Sequence, residues 1–149
     1  MSNKAEFLTS LGLNPKGRYL FHGTSPESAE AIEREGFKVG APERNGVSAG
    51  SGVYLTKDPQ EAATFGPEVL AVHLGKTKID RDAYYAAMNA RIRSRTDLSM
   101  DEAMSRVLRD SESHAFTDPD EPHTIVVDPQ HLKVHGRRNL SDAQFGGQQ

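Results

Sequence analysis

Gly50-Ser51-Gly52-Val53-Tyr54-Leu55-Thr56, followed by Ala62-Ala63-Thr64-Phe65, is the stretch on which the fold of this chain turns. Val53 to Thr56 reads as a strand, because β-branched and aromatic side chains suit a pleated, half-buried surface. Asp58-Pro59-Gln60-Glu61 then supplies an N-cap, a proline at the first helical position and a glutamate two residues on, so a helix follows to about Phe65. Tyr54 and Phe65 lie eleven residues apart, at the two ends of this unit. Rings facing each other across a gap sandwich a flat heteroaromatic ligand without consuming hydrogen bonds. Both being ordinary core residues is the alternative, and periodicity does not separate the two.

Upstream, Arg18 to His22 reads as a strand from its aromatic content, and Gly23-Thr24-Ser25-Pro26 turns it into a helix with Ser25 as N-cap and Gly36 as terminator. An imidazole, a backbone without Cβ and a hydroxyl are thereby presented together at His22-Gly23-Thr24. Such a corner suits a polar ligand, although a strand-ending histidine beside a turn glycine is more often a structural feature. Residues 4–13 place Phe7, Leu8 and Leu11 on one helical face, and residues 38–52 are a glycine-rich loop. Downstream, residues 69–74 form an apolar strand, and residues 80–95 and 99–110 read as two helices, the second opened by Ser99-x-x-Glu102. Thr124-Ile125-Val126-Val127 is the most strand-like run, Leu132-Lys133-Val134 continues the sheet, and residues 137–149 read as a flexible tail.

The 149 residues fit one domain, over residues 1–136, with 36% hydrophobic and 26% charged residues, the balance of a soluble globular chain. A formal net charge of −3 supplies no general attraction to nucleic acid or anionic membrane. No apolar run approaches the roughly 18–20 residues of a membrane span, and the polar start does not fit a secretory signal. The expected compartment is the cytoplasm where the chain is made, with export by a dedicated machine left open. The absence of cysteine rules out disulfides, thiolate catalysis and cysteine-ligated zinc. His123, His131 and His135 raise a metal reading, but Pro129 and the strand-like Leu132-Lys133-Val134 argue against the helix that His131-x-x-x-His135 would need, so no metal is expected. Arg91, Arg93 and Arg95 are interleaved with Asp97, Asp101 and Glu102 and read as a mixed solvent face rather than a docking patch.

Taken in order, His22-Gly23-Thr24, the Ala29-Glu30-Ala31-Ile32 helix with its Gly36-Phe37 exit, the Gly50 to Thr56 block with Phe65, and Thr124-Ile125-Val126-Val127-Asp128-Pro129 resemble the catalytic domain of poly- and mono-ADP-ribosyltransferases. The resemblance is to the diphtheria-toxin-like branch with a His-Tyr-Glu triad, and it covers about residues 19–74 and 121–134. It implies an α+β fold in which two small β-sheets split around an NAD cleft, with a helical insert over about residues 78–112 that the family pattern does not explain. It implies NAD as substrate. His22 would bond the nicotinamide ribose, Gly23 would hold the carboxamide through its backbone, and Thr24 would contact the adenosine side. Tyr54 and Phe65 would clamp the nicotinamide ring, and Lys38 or Arg44 would neutralise a phosphate, against the plainer reading of each as a solvated charge. The glycosidic bond breaks in this family through an oxocarbenium-like transition state, which an aimed negative charge stabilises.

Two positions depart from the pattern. Aligning Val126-Val127-Asp128-Pro129 with the last motif puts His123 where the triad glutamate is expected, with Glu121 two residues earlier and therefore on the same face of an extended chain. Charge favours Glu121, since a protonated imidazole would repel the cation, whereas alignment favours His123. Should neither serve, Glu112 or Asp118 remains as a carboxylate source. Ala62 falls where poly-ADP-ribosylating members carry a serine that bonds the carboxamide. The reading that follows is a mono-ADP-ribosyltransferase that releases nicotinamide and modifies a protein or nucleic-acid acceptor. The alternatives are an enzyme like the RNA 2′-phosphotransferases and a catalytically silent NAD or ADP-ribose binding module.

Overall fold

The computed structural model describes residues 3–37, 52–94, 97–118 and 123–140. The chain divides into two compact units, one made of Met1–Phe37, Leu55–Gly75 and His131–Gln149, the other of Lys38–Tyr54 and Lys76–Gln130. Helices and strands alternate in an α+β arrangement, as the sequence implies. Among the described residues no helix is long and apolar enough to cross a membrane.

The first unit begins with helix α1 (Asn3–Ser10), which sets Phe7 and Leu8 against the strands. Strand β1 (Tyr19–Thr24) runs two residues past His22 before helix α2 (Pro26–Glu35) starts. Ser25 caps α2 by accepting a hydrogen bond from the Ser28 amide at 3.2 Å, with Pro26 in the first turn where no backbone donor is needed. Strand β2 (Val53–Thr56) crosses the division between the units. Helix α3 (Pro59–Ala62) is capped by Asp58, whose carboxylate accepts from the Gln60 amide at 2.9 Å. It tightens into a 3-10 turn at Ala63–Phe65, so the helix expected up to Phe65 is half α and half 3-10.

Strand β3 (Glu68–His73) is the spine of this unit. It pairs antiparallel with β1 on one side and with β7 (Lys133–Asn139) on the other, giving the order β2-β1-β3-β7. Its four central residues, Val69 to Val72, have no exposed surface, which is why they form an unbroken apolar run rather than an alternating one. Phe7 meets Phe21 edge to face at 5.1 Å within the core that also holds Leu8, Tyr19, Ala62, Val69, Ala71 and Leu140.

The expected loose tail is corrected here, because residues 137–139 belong to β7 and Leu140 is buried with its amide on the Pro67 carbonyl at 2.8 Å. Arg137 explains why so polar a stretch is ordered. Its guanidinium bridges Glu33 of α2 and Glu68 of β3, each at 3.1 Å. Residues 141–149 lie outside the described part.

In the second unit, strand β4 (Ile79–Asp80) pairs parallel with β5 (Ala115–Thr117), which pairs antiparallel with β6 (His123–Val126). β6 lies in turn beside β2, whose Val53 and Tyr54 belong to this unit. Two boundaries differ from the sequence reading. Ile79 and Asp80 are strand, and helix α4 (Ala83–Arg93) starts only after Asp80 accepts the Asp82 amide at 3.0 Å and turns the chain. β5, only three residues long, carries no strand signal of its own in the sequence. Helix α5 (Met100–Asp110) is capped by Ser99, which accepts the Glu102 amide and donates to the Glu102 carboxylate, both at 3.1 Å. Ala83 and Ala87 of α4 and Ala103, Met104 and Leu108 of α5 pack with Phe116 and Ile125 into the core of this unit.

Candidate active site

The corner at the end of β1 is built by backbone meeting backbone. A Cβ on Gly23 would lie 1.7 Å from the carbonyl oxygen of Ala62, and one on Gly66 would lie 2.4 Å from the Thr24 carbonyl. No side chain fits at either place, so glycine is required there for packing, whatever else the Gly23 backbone binds. This locks the 3-10 turn onto β1. Phe65, the last residue of that turn, is 55% exposed.

His22 is half-buried in β1, with its ring edge to face against Phe37 at 5.2 Å. The sequence marks Phe37 only as the exit of the helix. Its place directly after the Gly36 cap, with the Gly36 amide bonded to the Ile32 carbonyl at 2.7 Å, is the signal that it folds back. Thr24 is half-buried at the same strand end, and Ala62, where a serine was the family expectation, is fully buried with its carbonyl facing Gly23.

In the second unit the structure brings Tyr54 and His123 together, with ring centroids 5.7 Å apart and planes tilted by 60°. Tyr54 also packs against the Phe116 and Ile125 core, so it is at once a core residue and the neighbour of His123. The close approach of β2 and β6 depends on Gly52, since a Cβ there would meet Ile125 Cγ2 at 2.6 Å. His123 opens β6 with 5% of its surface exposed, and its carbonyl accepts the Asp118 amide at 3.0 Å. Glu112 is exposed beyond the end of α5, in a left-handed conformation with φ of 54°. Lys38, Arg44 and Glu121 lie outside the described residues.

Among the described residues no cluster of three or more metal-ligating side chains occurs. His131 sits in a turn and His135 in β7, so the helical spacing that a metal pair needs is not realised. His135 instead stacks on His73 at 5.0 Å and 3°, and its Nδ1 lies 2.7 Å from the Tyr19 hydroxyl. Burial, followed by the charges of His135 and Arg18, lowers the His73 pKa from 6.5, and the neutral Nδ1 accepts the Gly75 amide at 3.1 Å.

No curated protein matches the chain. The family model described as the poly(ADP-ribose) polymerase catalytic domain matches residues 2–119, a span that includes His22, Gly23, Thr24, Tyr54 and Phe65 and stops short of Glu121 and His123. Most of the chain is thus covered, and the protein belongs to the poly(ADP-ribose) polymerase catalytic-domain family.

Proposed function

We propose that this protein transfers a single ADP-ribose from NAD to a macromolecular acceptor. Membership of the family supports ADP-ribosyltransferase activity in general, and NAD is the family's substrate. The observation that carries the narrower reading is the Tyr54–His123 pair, rings 5.7 Å apart, read together with the sequence alignment that assigns His123 to the glutamate position of the family pattern. A carboxylate offers several acceptor lone pairs and a full negative charge, whereas a neutral imidazole offers one acceptor nitrogen. Steadying the cation and holding a further ribose hydroxyl for elongation draw on that charge and those lone pairs together. One ring nitrogen suffices for a single acceptor.

In this reading His22 bonds the nicotinamide ribose, the Gly23 backbone holds the carboxamide, and Thr24 contacts the adenosine side. Phe65 supports this in one respect, since an exposed ring on a rigid turn loses little freedom when it stacks on nicotinamide. Tyr54 is assigned the second ring on the family pattern alone. Lys38 and Arg44 are assigned to the phosphates on the family pattern alone. The test is incubation with NAD labelled in the adenylate, reading nicotinamide release by chromatography and acceptor labelling by gel. Stoichiometric nicotinamide release with one discrete labelled product supports the proposal. A ladder of products would make it a polymerase, no release would make it a binding module, and turnover that requires a 2′-phosphorylated RNA would favour the phosphotransferase alternative.

A further inference from the structure

The ladder between β5 and β6 places Ala115 opposite Val126, Phe116 opposite Ile125 and Thr117 opposite Thr124. One step further, Asp118 stands opposite His123, and the hydrogen bond from the Asp118 amide to the His123 carbonyl at 3.0 Å continues the ladder there. Side chains two residues apart on a strand share a face, and residues directly opposite on antiparallel strands share it too, with Cβ atoms roughly 4.5–5.5 Å apart. Phe116 and Ile125 point into the core of this unit, where Tyr54 packs against it. Asp118 and His123 are the next pair along that same face, and the Tyr54 ring at 5.7 Å from His123 marks the same side independently. The row therefore passes from an apolar pair to a carboxylate and an imidazole.

We infer that Asp118 is the positioning residue for His123, and that the pair replaces the single glutamate of the family pattern. The inference rests on the transferase reading above. The C1′–N1 glycosidic bond of NAD breaks, and its electron pair goes to the ring nitrogen, so nicotinamide leaves neutral. A lone pair of the acceptor forms the new bond to C1′, and the acceptor proton passes to His123 and then to water. By itself, His123 would become an imidazolium beside a cationic sugar and oppose the step. With Asp118 alongside, the pair carries one negative charge before the proton arrives and none afterwards, so it never presents net positive charge to C1′. Glu112 is exposed beyond α5 and is not on this face of the ladder.

The test measures nicotinamide release and the imidazole nitrogen chemical shifts of His123 in full-length protein. Asp118→Asn, which is nearly isosteric, is expected to lower kcat about ten- to hundredfold with NAD KM changed less than twofold. Asp118→Glu should recover most of the rate. In a His123→Glu background, where the strand carries its own carboxylate, Asp118→Asn should cost less than twofold. Asp118→Asn should also shift the His123 ring signals toward a different tautomer balance. An unchanged kcat, or an equal loss in the His123→Glu background, overturns the pairing. If the wild-type protein releases no nicotinamide, the transferase reading fails separately, and the ring signals then decide alone, moved shifts upholding the pairing and unmoved ones ending it.

Discussion

The two units hold their candidate site residues by opposite means. At the β1 corner the first unit relies on main chain, with Gly23 against Ala62 and Gly66 against Thr24 at separations that exclude a single methyl group. The second unit relies on register, because the Tyr54 and His123 rings meet and Asp118 stands opposite His123 on a backbone ladder that replacing their side chains leaves intact. Substitutions that alter chemistry and substitutions that break the fold should thus lie next to each other in the first unit and be separable in the second.

Adjacent residues give the strongest way to break this contrast. Gly23→Ala should destabilise the protein by about 3 kcal/mol or more, because rigid backbone on both sides cannot yield to the new carbon. His22→Ala, one residue away, should abolish NAD turnover while costing only about 1 kcal/mol in a denaturant melt, since the ring is half-buried and its contact is a single aromatic edge. Equal melts for the two variants would refute the packing account of the corner. Phe65→Ala comes next, raising NAD KM by about tenfold through loss of a stacking face, with Phe65→Tyr close to wild type. If both changes lose equally, stacking is not what Phe65 does.

Smaller effects sharpen the other side of the comparison. His123→Gln, which keeps a polar side chain but takes up no proton, should lower turnover severalfold with little change in the melt, and a large loss of stability there would show that register does not protect the second unit as described. The smallest effect is one of pH. The unfolded chain takes up a proton at His73 near pH 6.5, while the folded protein resists it because of burial and the charges of His135 and Arg18. Below pH 6.5 the unfolded state therefore binds more protons, and stability falls as pH is lowered. Tm measured at pH 7 and pH 5.5 should drop less in His73→Gln than in wild type, and an identical drop would mean that His73 does not contribute.

Local signals wrote much of this into the sequence. Ser25, Asp58 and Ser99 cap the helices whose starts they mark, because a cap acts within three residues of itself. What was illegible depends on partners far along the chain. Ile79 and Asp80 look like the lead-in to a helix, yet they are strand because Ala115 and Phe116 lie beside them. Arg137, Arg138 and Asn139 have the composition of a loose end, yet they are strand because they pair with β3, where Arg137 also finds Glu68. The site divides in the same way. His22, Gly23, Tyr54 and Phe65 sit in short motifs with fixed spacing, whereas the position of Asp118 opposite His123 follows from a register that no spacing in the sequence reveals.

The order in which the chain is made has a consequence for the first unit. β3 is synthesised long before β7, its neighbour, and the whole of Lys76–Gln130 emerges between them. Throughout that interval a fully apolar strand, Val69 to Val72, waits with one edge uncovered, which is the kind of surface that recruits strands from other copies. The second unit has all its segments in hand by Gln130 and is free to close first. Expression trouble in this protein should therefore be worst in chains cut before Lys133, with the aggregates held together through β3.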